Sequence, residues 1–192
     1  NLIRDKSFSL INILGLSIGL AASLIIALWV FDELSYDKFN ENSENIYRVE
    51  RHINFDGKIF DVPVTGAIYG NTIIKDTPQV IDFTHVYPIE LSLKNHMNDN
   101  QEERVFFADQ GFLNMFTFPL EKGDLETALK EPFTVVLTKN AAMAYFGEEF
   151  PIDKMLQIEW GDELKNFRVT GIFEDIPSQS HFHFDVVASF ET

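Results

Sequence analysis

Cysteine is absent from the 192 residues, which excludes disulfides, thiolate metal centres and cysteine nucleophiles. No Gly-x-x-x-x-Gly-Lys-Ser/Thr loop occurs, so the chain has no Walker-type nucleotide site and any ATP must be handled by a partner. Gly-x-Ser-x-Gly, His-Glu-x-x-His and the dinucleotide fingerprint are missing too, and the 10 glycines are scattered at turns. No catalytic or cofactor-binding set emerges. Positive charge is scarce, with 15 Lys and Arg against 30 Asp and Glu, giving a formal net charge of −15. Nucleic acid is therefore a poor partner, and most of the acidic surface resists anionic lipid headgroups. There is no internal repeat, low-complexity tract or flexible linker.

What the sequence does have is one long apolar run, residues 7–31, bounded by Lys6 and Asp32 and free of charge. About 25 helical residues reach roughly 37 Å, more than the ~30 Å hydrocarbon core of a bilayer. Leu, Ile, Phe and Val offset the uncharged polar residues Asn12, Ser17 and Ser23. A cleaved signal peptide would use Gly19, Ala21 and Ala22 as its small residues, yet the apolar core continues through residues 24–31. A buried helix of a soluble protein would need a polar face or an unusually large surrounding core. The run reads as a membrane anchor. Arg4 and Lys6 before it, against Asp32, Glu33 and Asp37 after it, place the N-terminus in the cytoplasm and the remaining residues outside. Within the run, Gly15, Gly19 and Ser23 share one face at successive i+4 positions, a surface that lets a second helix approach closely.

The boundaries fall at 1–35 for the cytoplasmic flank and helix and 36–192 for the outer part, roughly 160 residues, enough for one domain or two subdomains. Residues 32–49 read as a short helical or looped neck whose Tyr36, Phe39 and Tyr47 seat against the domain base. Residues 46–53 and 58–64 form a hairpin across Asn54-Phe55-Asp56-Gly57. A helix over 65–76 closed by Pro78, strand-like alternation over 80–93 broken by Pro88, and a strand over 104–108 follow. Asp109 caps a short helix over 109–116, and 124–129 repeats that pattern. A strand over 133–138 leads to a helix capped by Thr138 or Asn140 and ended by Gly147. Strands over 155–160, 166–176 and 184–190 complete an α+β fold, joined by the Gly161-Asp162 turn and the 177–181 loop. The chain stops just after a strand, as a fragment of a longer protein would.

His181 and His183, with Asp185, are a candidate metal set if they share one face of a strand, but Phe182 and Phe184 give an equally simple core-and-solvent alternation. The pairs Glu102-Glu103, Glu148-Glu149 and Glu174-Asp175 read as solvated faces before they read as catalytic carboxylates. No metal site is assigned.

The succession of motifs carries more. Residues 7–20, SFSLINILGLSIGL, are followed by 32–39, DELSYDKF, and 46–49, IYRV. Then come 106–109, FFAD, and 116–120, FTFPL; Tyr145-Phe146-Gly147; 169–177, VTGIFEDIP; and 180–185, SHFHFD. This resembles the permease subunits of MacB/FtsX-type ABC transporters, especially those of Bacteroidota, over nearly the whole chain. The resemblance implies a first transmembrane helix, a MacB-like periplasmic core domain, and later helices of an FtsX-like permease region beyond this sequence. It also implies an inner-membrane location, a dimer or paired permease, a separate cytoplasmic ABC ATPase, a periplasmic adaptor in some systems, and export or mechanotransmission. The chain departs from the family at Pro151-Ile152-Asp153-Lys154, where the third place usually holds Gly, and a side chain there opposes a tight turn. Two other classes share the layout: an extracytoplasmic sensor domain of a receptor, which would continue into a cytoplasmic signalling region, and a membrane-tethered enzyme, which would need a pocket of convergent polar groups.

Overall fold

The computed structural model describes residues 6–94, 100–174 and 176–192, and divides into two compact units, Asn1–Lys38 and Phe39–Thr192. Arg4 of the flank and Asp175 of the third acidic pair lie outside the described residues. The first unit is dominated by α1, Lys6–Glu33, 28 residues long. Its segment Ser7–Glu33 is long and apolar enough to cross a membrane, and large side chains such as Leu16, Ile18 and Phe31 are exposed along it. Leu34 N still donates to Val30 O at 3.0 Å, after which Ser35 N donates to Asp32 O at 2.9 Å and the helix tightens to a stop. Asp37, at φ 55°, takes the left-handed conformation that breaks the helix.

The second unit opens with a hairpin, β1 (Arg51–Phe55) and β2 (Lys58–Val62). Phe55 pairs with Lys58, so the loop is only Asp56-Gly57, and their φ values of 51° and 75° match a type I′ turn. Asn54 and Phe55 thus belong to the strand, and residues 46–50 do not. Helix α2, Ile68–Asp76, ends just before Pro78, with Thr77 N closing onto Ile73 O.

The rest folds around one seven-stranded sheet of order β5-β8-β6-β9-β4-β3-β7, in which β7 also pairs with β8. Its strands are β3 (Val86–Lys94), β4 (Asn100–Ala108), β5 (Leu120–Gly123), β6 (Thr134–Leu137), β7 (Met155–Trp160), β8 (Glu163–Phe173) and β9 (Val186–Ser189). The β7–β8 pairing closes six strands into a barrel, and β5 pairs with the last residues of β8, past the stretch that β7 occupies. Two pairs are parallel, β4 with β9 and β6 with β8. Pro88 is tolerated in β3 because that strand meets β7 only at Leu93 and Lys94, leaving an open edge beside the proline.

Strand alternation sorts the apolar residues into two cores. Leu93, Val105, Val135, Leu137, Leu156, Ile158, Phe167, Val169 and Val186 come from all six closing strands and fill the barrel, with Ala141 and Tyr145 of α4 (Lys139–Phe146) packed against them. Phe106, Val136, Phe173 and Val187 face the other way and meet α3 (Gly111–Met115) and the loops. That second core is mostly phenylalanine: Phe112 has Phe116, Phe118, Phe182 and Phe184 within 5.1 to 5.9 Å, centroid to centroid.

Three local expectations need correction. Asp109 does not cap α3; Gln110 holds the cap position without a side-chain bond, while the Asp109 carboxylate accepts from His85 N and Nδ1 at 2.5 and 2.8 Å. Residues 124–129 are turns and not a helix, because Asp124 binds Glu126 N and Thr127 Oγ1 with its own side chain and draws the backbone into a tight loop. Tyr47 is 82% exposed and seats on nothing in the domain base. Thr138, by contrast, caps α4 by accepting from Ala141 N at 3.2 Å, and Gly147 ends it at φ 63°. The turn at 151–154 forms despite its missing glycine: Lys154 N donates to Pro151 O at 3.0 Å, with Asp153 at φ 66°.

Candidate functional site

Two features of the second unit are built well enough to carry function. The first is the point where the chain enters it. Phe39 packs on Phe118 with centroids 5.7 Å apart, joining the phenylalanine core. Asn40 is 4% exposed, and its Oδ1 accepts from Thr117 N at 2.9 Å. Thr117 Oγ1 in turn accepts from Glu41 N at 2.9 Å, and Asn42 Nδ2 donates to Met115 O at 3.5 Å. Residues 39–42 are thus clasped to 115–118, some 75 residues away in sequence, by reciprocal bonds around a buried amide. An unpaired buried amide is costly, so this geometry is held firmly.

The second feature is a cleft of about 690 Å³. β4 runs beside β3 from Asn100, yet β9 joins it only from Val105, so the first half of β4 has an open edge. The cleft lies there, among Glu103, Lys139, His183 and Asp185. Glu103 has the inward parity of Val105 and Phe107, and its Oε1 accepts from Tyr145 Oη at 2.8 Å. Burial raises the Glu103 carboxyl above its ordinary range, the Tyr145 bond opposes this, and the Asp185 carboxylate adds to the rise. Burial, then Glu103 and Asp185, push the Tyr145 phenol upward as well. A phenol of raised pKa stays protonated at neutral pH, so Tyr145 serves as a hydrogen-bond donor to Glu103 and not as an activated nucleophile.

Sequence reading missed this cluster. Glu103 on the apolar parity of β4 was the available signal, but its partners lie on α4 and ahead of β9, and no local pattern joins them.

The sequence-based candidates disperse. His181 and His183 sit in irregular chain before β9 and not on a strand, so the shared-face argument does not apply; only His183 lines the cleft. Among the described residues no group of three or more His, Asp or Glu is placed to hold a metal. Glu102 and Glu148 are exposed, and Glu149 pairs with Lys154, which lowers its pKa. Gly15 and Gly19 have open space where a Cβ would stand, and Ser23 Oγ donates back to Gly19 O at 2.9 Å.

An apolar N-terminal helix followed by a closed, sheet-rich α+β domain defines the class. The MacB-like periplasmic core domain family matches residues 9–192, and the chain belongs to that family, whose members are domains of transporter permeases and not enzymes. Among solved structures, a domain described as part of a permease from Porphyromonas gingivalis is 22% identical, with a TM-score of 0.56 over 69% of this chain and 56% of that one. The periplasmic region of MacB from Actinobacillus actinomycetemcomitans is 19% identical, with a TM-score of 0.48 over 64% and 53%. The extracellular domain of the ABC-type transporter YknZ from Gram-positive bacteria is 13% identical, with a TM-score of 0.43 over 56% and 53%. The chain spans little more than half the length of these structures. No curated protein sequence matches it.

Proposed function

We propose that this chain is the anchor and outer domain of an ABC-transporter permease, held in the inner membrane with its N-terminus cytoplasmic and driven by a separate ATPase. The observation that carries this reading is the family match, which begins at residue 9 and so takes in the apolar helix together with the domain. A helix that is part of the matched unit favours an anchor over a leader that is cut away. The charge asymmetry across α1 supports the orientation, and the absence of a P-loop leaves ATP hydrolysis to a partner.

Within this reading the protein works mechanically. Movement of the membrane helices reaches the outer domain through residues 32–42, and the clasp around Asn40 and Thr117 passes it to the phenylalanine core. Gly15, Gly19 and Ser23 form the face on which another permease helix packs, giving a homodimer or paired permease. The domain surface then engages substrate or a periplasmic adaptor.

The test is made in cells with the full-length permease. It should co-purify with a P-loop ATPase, and inactivating that ATPase should abolish transport. A tag placed near residue 100 should react with a membrane-impermeant reagent in intact spheroplasts. Labelling only after lysis would overturn the orientation, and transport that persists without an ATPase would overturn the coupling.

A further inference from the structure

The cleft opens where two strands part. Val186 starts β9 with Val105 of β4 on one side and Leu137 of β6 on the other. One residue earlier the β6 side is still held, since Thr138 N donates to Asp185 O at 3.0 Å, but the pairing with β4 has ended. β4 itself runs on, and β3 stays paired with it as far as Asn100. Residues 101–104 therefore keep a strand on one side only, which leaves an open edge of roughly 13 Å. Side chains of both parities line the cleft there, Glu103 from the inward face of β4 and Glu102 and Arg104 from the outward one. The space thus wraps the edge of the strand and does not lie over one face.

A strand edge is a row of backbone donors and acceptors that matches another extended chain. Charge narrows the choice of chain. Glu90 stands opposite Arg104 in the β3–β4 register, and Lys139 pairs with Glu121 at 3.1 Å. Glu102, Glu103 and Asp185 take part in none of the described ion pairs, and His183 is exposed in the irregular chain before β9. Negative charge is left over. An inward-pointing charge on an open edge turns away the apolar strands that would otherwise add to it, but it admits a strand that brings a cation. Tyr145 donates to Glu103 Oε1 at 2.8 Å and so fixes the carboxylate, which as an anion has further acceptor sites for a second donor.

We propose that the cleft binds an extended basic peptide, which adds as a strand to residues 101–104 of β4 and brings a Lys or Arg side chain to Glu103 and Asp185. At about 690 Å³ the cleft has the size of a ligand site, and the net charge of −15 draws basic peptides toward the chain from a distance. The groove belongs to the fold. Only the role of the peptide, as substrate or as a segment of an adaptor, rests on the permease reading above, and binding is measured without transport.

The probe is the capped pentapeptide Lys-Val-Lys-Val-Lys, titrated by calorimetry into the full chain in detergent micelles. Alternate amides of a strand face the same neighbour. Of two copies, one N-methylated at the valines and the other at the lysines, one should therefore bind as the parent does and the other at least about tenfold less tightly. Glu103→Gln, which keeps an acceptor for Tyr145, and Asp185→Asn should each weaken the parent peptide about tenfold, as loss of a charge-assisted bond does. Glu126→Gln, which removes an exposed carboxylate outside the cleft, should leave binding unchanged. Hydrogen exchange should show new protection over 101–104 when the peptide is added. If Asp185→Asn does not fold, Glu103→Gln and the exchange footprint carry that part of the test. No binding at about 1 mM peptide, equal binding by both methylated copies or by Glu-Val-Glu-Val-Glu, or a footprint that misses 101–104 would overturn the proposal. So would spermidine competing as well as the peptide, since it has like charge and no peptide bond. Binding that vanishes in the full-length permease would show the edge already filled by the permease itself, and would overturn it too.

Discussion

The β1–β2 hairpin and the closed sheet are written in the same residues and have opposite fates. Ile53, Phe55, Ile59 and Phe60 of the hairpin are 39 to 74% exposed, whereas Val105, Val135, Ile158, Phe167 and Val186 of the sheet are fully buried. Strand propensity and turn chemistry are as good in the hairpin as anywhere. What differs is the number of layers: a two-stranded ribbon has no third strand and no covered face, and such ribbons are marginal alone. The closed sheet turns every inward residue toward five other strands. Local pattern therefore makes strands, and closure makes a core. Helix α2 sides with the hairpin, since none of its residues is buried.

Truncation should break this contrast most visibly. Phe112→Ala removes a fully buried ring from the centre of the phenylalanine core and should cost about 3 to 5 kcal/mol. Phe55→Ala, at 74% exposure in the hairpin, should change global stability by less than about 0.5 kcal/mol. Chemical denaturation of both variants checks the pair, and equal losses would erase the distinction.

Gly70→Ala asks how α2 is held. A Cβ on Gly70 would lie 2.2 Å from the Phe83 ring, so the substitution should cost about 1 to 3 kcal/mol through displacement of that ring. Thermal melts report the total, and exchange over 68–76 shows whether the damage stays local. A smaller effect belongs to the barrel side. Thr138→Ala removes the cap of α4 and should cost about 1 kcal/mol, while Asn140→Ala, inside the helix, should cost almost nothing. The smallest effect has the other sign. Asp153→Gly relieves a left-handed φ of 66° at the entropic cost of glycine, and should stabilise by about 0.5 kcal/mol in a denaturant titration.

Features set by neighbours in sequence were legible. Asp56-Gly57, Thr138 with Gly147, and Gly161-Asp162 fix their own turns and caps, so those elements form where the residues place them. Asp109 and Asp124 misled because a short carboxylate can serve either the helix after it or another partner; His85 claims the first, and the local turn claims the second. The closure of β7 onto β8 follows from a legible hairpin. The parallel pairings of β4 with β9 and β6 with β8 do not, since they join distant strands through tertiary packing alone. The clasp and the cleft share that property: Thr117 meets Asn40, and Tyr145 meets Glu103, across 77 and 42 residues. The family resemblance reached the domain as a whole and neither of these contacts.

The proposal most open to test is that movement of the anchor enters the outer domain through residues 32–42, the turns that follow α1 and the Asn40 clasp. The most direct test inserts a Gly-Ser linker of about six residues after Asp32 in the full-length permease, which places flexible coil between α1 and the clasp. Membrane insertion and domain folding should survive, and ATP hydrolysis by the partner should continue while transport stops. Full transport by the linker-bearing permease at normal expression would contradict the account and leave α1 as an anchor only.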